Sequence, residues 1–274
     1  MYDPTLRWSN GPVKTKSKSE SKTPSGDESL PLYRQVKKAL QKIIEAGHYG
    51  PGKPLPSESA LASQLQVSVG TLRHAVDELV HEHVLVRRQG KGTFVAPHNR
   101  ARFMFQFFHV ERRQDPEDNE PTSEQEFPDI ACLGFSRDKA DAGEARALRI
   151  KLGDPVFRID NKLSLRGKVV VLDRLVLSTA MFRNLTEKRF VERASTVYAL
   201  YQTDFGITVL RAQERARASA ASKVVAAVLS LPAGAPVMEV HRLALTFGDK
   251  PVEYRVSFIN TQAHDYVSVL SKKA

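Results

Sequence analysis

The sequence predicts an α+β chain in two parts, a winged helix-turn-helix head followed by a larger body built on an antiparallel sheet. Three observations carry that prediction. Between residues 30 and 96, three stretches of helical apolar spacing lead into a hairpin with a basic, glycine-rich tip. Further on, a segment starting at Leu148 recurs starting at Leu229, a period too long for a solenoid repeat and suited to a duplicated α+β unit. The charge is also uneven. Of a formal net +10, residues 30–102 carry +6, residues 1–29 carry +1 and everything from Phe103 onward carries +3. A dense positive segment beside a nearly balanced one is the electrostatic footprint of a nucleic-acid-binding head.

At 274 residues the chain suits roughly two domains, each able to bury its own core. Residues 1–29, including Lys14-Thr-Lys-Ser-Lys-Ser-Glu-Ser-Lys22, lack apolar periodicity and read as a disordered basic tail. From Leu30 the pattern turns helical: Leu32, Val36, Leu40, Ile43 and Ile44 share a face, and Gly47 stops the helix. A second helix starts after Ser57 as N-cap and buries Leu61, Ala62 and Leu65. A short turn at Gln66-Val67 leads to Ser68, the cap of a third helix that buries Leu72, Ala75, Val76, Leu79 and Val80. Val84-Leu-Val86 and Thr93-Phe-Val95 are short strands flanking Arg87-Arg-Gln-Gly-Lys-Gly92, where glycine lets backbone approach a phosphate or a minor groove.

Residues 97–100 are expected to be a linker and 97–128 a boundary region, with the acidic, turn-rich stretch 114–121 a surface loop. Within it, Phe103-Met-Phe-Gln-Phe-Phe108 is assigned to a strand packing into the body; no basic residues interleave with its aromatics, so it is not a base-stacking platform. The body spans 101–270. Leu148-Arg-Ile-Lys-Leu-Gly-Asp-Pro-Val-Phe-Arg-Ile159 matches Leu229-Ser-Leu-Pro-Ala-Gly-Ala-Pro-Val-Met-Glu-Val240. Each copy has an Ala-rich helix, near 140–148 and 220–230, then a Gly-x-Pro turn into a strand, then a hairpin at Arg166-Gly167 or Gly248-Asp249. Asp173 of the first copy falls on Glu253 of the second. A helix from Ser195 to Phe205 and a strand from Ile207 to Ala218 are placed between the copies. On that strand Arg211, Gln213, Arg215 and Arg217 share one face, and Glu214 lies on the other among Leu210, Ala212 and Ala216. A carboxylate on an apolar face is costly unless paired, so Glu214 belongs either to a pocket or to an internal salt bridge.

The head motifs Leu55-Pro-Ser-Glu-Ser-Ala-Leu-Ala62, Val67-Ser-Val-Gly-Thr-Leu-Arg73 and Arg88-Gln-Gly-Lys-Gly-Thr-Phe-Val95, in this order, closely resemble the GntR family of bacterial regulators. That resemblance implies that Thr71 and Arg73 contact bases and phosphates from the recognition helix. It also implies that Gln89, Gly90 and Lys91 belong to a wing entering the minor groove, with the Ser57 and Ser68 helix N-termini presented to phosphate. The chain departs from the family pattern at Ser59, Val69 and Gly70, where basic or hydroxyl residues are common, so base readout falls more heavily on Arg73 and the wing. The body resembles the UTRA domain of the HutC branch of that family, related in fold to chorismate lyase, which implies a small-molecule effector pocket between helices and sheet. In the sugar-phosphate sensors of that branch an Arg-x-Arg pair clamps phosphate. Here those positions are Asn161 and Leu163, which makes a phosphosugar a poor fit. Asn161, Asp173, Glu214, Glu253 and Arg255 are the candidate effector contacts.

Catalytic signals are weak. His81-Glu-His83 lacks the spacing that sets two metal ligands on one helix face, and His109, His241 and His264 show no ligand spacing either. No nucleophile motif appears, and no metal or cofactor is expected. The single cysteine, Cys132, is expected to be a buried reduced thiol. No stretch approaches the ~20 apolar residues of a membrane span, and the N-terminus lacks the apolar core of a secretion signal. The sequence therefore points to a cytoplasmic, homodimeric transcription regulator on double-stranded operator DNA, with repression relieved by an effector as the default. Two alternatives stay open: a chorismate-lyase-like enzyme with a DNA-binding appendage, and a DNA binder that needs no ligand.

Overall fold

The computed structural model describes residues 30–46, 48–49, 52–113 and 126–268. The expected tail 1–29, the helix stop at Gly47 and the acidic loop 114–121 lie outside those residues. In the head, α1 (Leu32–Glu45), α2 (Glu58–Gln64) and α3 (Val69–His81) precede the hairpin strands β1 (Leu85–Arg88) and β2 (Gly92–Val95). Val36, Leu40 and Ile44 of α1, Leu61 and Ala62 of α2, and Leu72, Ala75, Val76 and Leu79 of α3 bury one shared core. Leu32 departs from the expected stripe: it sits in the first turn of α1 and is 47% exposed. Lys37 on α1 reaches both Glu78 and Glu82 on α3, at 2.8 and 2.7 Å, tying the first helix across the third.

The aromatic run predicted as a strand is a helix, α4 (Arg100–Phe107), capped by Asn99, whose Oδ1 accepts from the Arg102 amide at 2.8 Å. Phe103, Met104 and Phe107 pack into the body's core, so the destination was right and the conformation wrong. A tertiary apolar face overrode the β preference of the aromatics. The short strand β3 (Val110–Arg112) pairs with the last strand, β10 (His264–Tyr266), in a two-stranded ribbon.

The body's sheet has six antiparallel strands, β4 (Asp129–Lys139), β5 (Pro155–Leu165), β6 (Lys168–Ser178), β7 (Arg211–Ala220), β8 (Pro236–Leu245) and β9 (Pro251–Ile259), in the order β4-β5-β6-β9-β8-β7. That order is symmetric about the β6–β9 junction. The offset that carries Leu148 onto Leu229 also carries α5 (Ala142–Leu148) onto α8 (Lys223–Leu229) at both ends, and the left-handed C-cap Arg149 onto the left-handed C-cap Ser230. Strand β7, expected to lie between the copies, is instead the first strand of the second copy and the counterpart of β4. Only α6 (Glu187–Val191) and α7 (Val197–Phe205) stand between the two units. Alternation along the strands then forms two layers. Even-numbered residues of β5 and β6, such as Val156 and Val176, pack under α5. Their odd-numbered neighbours, Ile159, Val171 and Leu175, pack against α4, α6 and α7.

Among the described residues, head and body meet at an apolar contact and through hydrogen bonds to the linker. Phe247, at the β8–β9 tip, is 5% exposed and packs in the head's own core. Gln202 of α7 holds the linker on both sides, accepting from the His98 amide at 3.0 Å and donating to the Ala96 carbonyl at 3.1 Å.

Candidate nucleic-acid interface and effector pocket

The head's exposed surface is built by two helix caps and one turn. Ser57 Oγ accepts from the Ala60 amide at 3.2 Å and Ser68 Oγ from the Thr71 amide at 3.1 Å, each satisfying a first-turn donor. Between the helices Gln66 adopts φ 55°, the left-handed conformation that makes the turn tight. Thr71 is half-buried, and its hydroxyl lies 2.8 Å from Ser68 Oγ, within the cap. Arg73, further along the same helix, projects with 61% of its side chain exposed. Glu58, the first residue of α2, joins it to the wing: its carboxylate meets Arg73 Nε at 2.8 Å and Arg87 Nη2 at 3.0 Å. Arg87 also donates to Asp77 at 2.5 Å, so α2, α3 and β1 share one charged network. Exposed pairs of this kind are worth little in water and exchange readily for phosphate or base contacts. Gln89, Gly90 and Lys91 form the exposed wing tip. Gly90 has φ +69° with open space where a Cβ would sit, so backbone conformation and not crowding is what requires glycine there.

The body places its polar groups on the inner sheet face, in register. Asn161, Asp173 and Ser257 are successive cross-strand partners on β5, β6 and β9; one row along, Leu175, Arg255 and Arg242 follow on β6, β9 and β8. Arg255 Nη1 donates to Asp173 Oδ2 at 2.8 Å and its Nε to Glu253 Oε1 at 2.9 Å. Ser257 Oγ donates to Asp173 Oδ1 at 2.5 Å. Glu253, fully buried, also accepts from the Tyr201 hydroxyl at 2.6 Å and the Tyr198 hydroxyl at 3.2 Å. Burial alone would lower the Arg255 pKa, but Glu253 and Asp173 outweigh it and hold the guanidinium well above its usual range. Burial, reinforced by Glu253, pushes both tyrosines up, so they act as hydrogen-bond donors. Glu214 makes an internal salt bridge. It pairs with Arg242 Nε and accepts from the Tyr266 hydroxyl, and these partners keep it below its ordinary value despite its burial.

Three of the five candidate effector residues, Asp173, Glu253 and Arg255, thus join one buried network, and Glu214 pairs with Arg242 beside it. Asn161 faces Asp173 across the strands with its Oδ1 unbonded. Sequence reasoning missed Arg242, Ser257, Tyr198, Tyr201 and Tyr266. One signal for Arg242 was available, because the repeat offset that carries Leu148 onto Leu229 also carries Asn161 onto Arg242. The cavity over this face is about 30 Å³, space for water and not for a metabolite. Phe103, Phe107 and Phe108 and residues of the β3–β10 ribbon line it on one side, and Arg242 Nη2 donates to the Phe107 carbonyl at 2.5 Å. Cys132, expected buried, is half-exposed on the edge strand β4, where a bulge separates it from Gly134. Among the described residues no group of His, Cys, Asp and Glu could hold a metal ion.

A winged head with an exposed recognition helix, carried on a duplicated α+β body with a small cavity lined by apolar and charged residues, defines a ligand-responsive DNA-binding regulator. Comparison with known proteins specifies it. Residues 32–95 match the bacterial regulatory proteins of the gntR family, and residues 125–265, over half the chain, match the UTRA domain. The chain belongs to the GntR family of transcription regulators that carry a UTRA domain; it is a regulator and not an enzyme. It is 29% identical over 224 residues to a probable fructoselysine utilization operon transcriptional repressor of Shigella flexneri, covering 81% of this chain and 87% of that one. It is 24% identical over 245 residues to the repressor NagR of Bacillus subtilis, covering 89% and 96%. Among solved structures, the ligand-binding domain of a putative GntR-family regulator from Bordetella bronchiseptica matches at 30% identity and a TM-score of 0.56. That match covers 61% of this chain and 98% of that one.

Proposed function

We propose that the chain is a cytoplasmic repressor that binds a palindromic operator as a homodimer and releases it when a small molecule occupies the body's inner face. The relatives named as repressors support the sign of regulation. In this reading residues 30–96 form the DNA-binding domain, 97–100 the linker and 101–270 the effector-binding and dimerisation domain. Arg73, Thr71 and the caps at Ser57 and Ser68 engage the major groove and its phosphates, while Gln89, Gly90 and Lys91 engage the minor groove. Asn161, Asp173, Glu214, Glu253 and Arg255 receive the effector.

The observation that carries the reading is the double role of α4. Its N-cap lies one residue beyond His98, which α7 grips, and its inward face lines the cavity through Phe103, Phe107 and the Arg242 contact. A ligand too large for the cavity must displace that helix, and the displacement reaches the head through the short linker. Affinity for two fixed half-sites then changes because the heads are no longer held at one spacing. The test is to select an operator from random DNA, then follow its binding by fluorescence anisotropy at fixed salt while a metabolite library is added. A palindromic site bound by two chains, and weakened at least 5-fold by one library member, is expected. Binding of a single chain, or operator affinity indifferent to every compound that raises the melting temperature, would overturn the proposal.

A further inference from the structure

Three buried polar atoms beside the Asp173–Glu253–Arg255 network have no partner: Arg255 Nη2, Asn161 Oδ1 and Arg193 Nε. Arg193 is the odd member. It sits between α6 and α7, stacks on Phe190 with its guanidinium carbon 4.7 Å from the ring centroid, and donates to the Phe190 carbonyl. Among the described residues it has no carboxylate partner, although burial and the neighbouring Arg255 charge both press its pKa down. Phe190 in turn packs against Phe135 of β4, centroids 6.3 Å apart, and Cys132 of the same strand is the cross-strand partner of Asn161, which places Arg193 over the same part of the inner face. Arg193 is half-buried with its Nε fully covered, and a guanidinium partly taken out of water without a counter-charge is costly, since most buried charges in proteins are paired.

We propose that Arg193, the free edge of Arg255 and the Asn161 amide oxygen form an effector subsite for a small hydroxy- or amino-carboxylate. The chemistry follows from the three unpartnered atoms. Two cationic donors call for a group with two acceptor oxygens, as a carboxylate has. The single acceptor, Asn161 Oδ1, calls for a nearby hydroxyl or ammonium donor. Formal charge selects against phosphate. The inner face carries Arg193, Arg242 and Arg255 against Asp173, Glu214 and Glu253, which cancel. A carboxylate leaves one excess negative charge, or none when the ligand carries an ammonium, whereas a phosphate dianion leaves nearly two in a dry site.

The inference rests on the reading of this face as the effector site, and its test separates the two. Melting of the full chain is followed with glycolate, glycine and larger hydroxy- and amino-carboxylates of up to about ten non-hydrogen atoms, each paired with the carboxamide that replaces its carboxylate. Inorganic phosphate and glycerol phosphate complete the panel. At least one carboxylate, near ten times its Kd, should raise Tm by roughly 2–4 °C, while its amide and both phosphates do not. Arg193→Gln and Arg193→Met should abolish that response and, having lost an unpaired buried charge, melt unliganded at or above wild type. If no carboxylate shifts Tm, if an amide or a phosphate does as well, or if either variant keeps the response, the subsite is overturned. A carboxylate that binds through Arg193 yet leaves operator affinity unchanged upholds the subsite and overturns the effector reading.

Discussion

Arg73 and Glu58 show how one residue's setting determines its use. Arg73 projects from α3, 61% of its side chain exposed, and is held at its Nε by Glu58. Replacing Arg73 with Ala should cost roughly 1–3 kcal/mol of operator binding, measured by anisotropy at fixed salt; unchanged affinity would remove it from the interface. Glu58 acts in the opposite sense. Its carboxylate lies on the DNA-facing network yet restrains two arginines, Arg73 and Arg87. Glu58→Gln should therefore tighten binding to unrelated DNA while shrinking the ratio between operator and unrelated sequence several-fold. Competition titrations on both DNAs would show this, and a preserved ratio would mean that the two arginines need no alignment. His98 is a residue of a third kind. Burial first, and then the Arg102 charge, push its pKa down to about 3. In the unfolded chain it titrates at ~6.5. The unfolded state thus binds more protons between those values, and stability falls as pH drops below ~6.5, by about 1.4 kcal/mol per pH unit at most. Urea melts at pH 7 and pH 5 should differ by roughly 2 kcal/mol more in wild type than in His98→Leu.

At the scale of the element, the head was legible because each of its signals is local. A cap, a helical stripe, a tight turn and a glycine-rich tip each occupy a few consecutive residues, so Ser57, Ser68 and Gly90 could be placed without knowing what they pack against. Helix α4 was misread because six residues, four of them phenylalanine, have no period that separates helix from strand. The helix is decided by the core that its Phe103 and Phe107 enter and by a cap, Asn99, whose signal was passed over. That helix is also where stability and signalling meet. Phe107 is 3% exposed and contacts Tyr198 edge-on, 4.8 Å between centroids. Phe107→Ala should destabilise the chain by about 3–5 kcal/mol, read from urea unfolding. It should also widen the cavity, so that ligands bind more readily per unit of stability lost. A cost below about 1 kcal/mol would show that the roof is not packed.

For the whole molecule, the duplication was legible at its helices and Gly-x-Pro turns and illegible where the copies have diverged. Strands β4 and β7 hold equivalent places with too little shared sequence to announce it. The pairing of Arg255 with Asp173 depends on the β6–β9 register, which no local pattern reveals. Divergence also divides the labour. Asn161 and Leu175 of the first copy correspond to Arg242 and Arg255 of the second, so the second unit holds the cations and the first a neutral amide and an apolar residue. That same second unit ends in the Phe247 tip, which lies in the head's core beside the first helix. Head and body are therefore not interchangeable modules. A chimera that grafts this head onto a foreign sensor would leave a phenylalanine-sized gap beneath α1 unless the new hairpin also ends in a large apolar side chain. A fragment cut at residue 100 should for the same reason be a poorer folder than the intact chain.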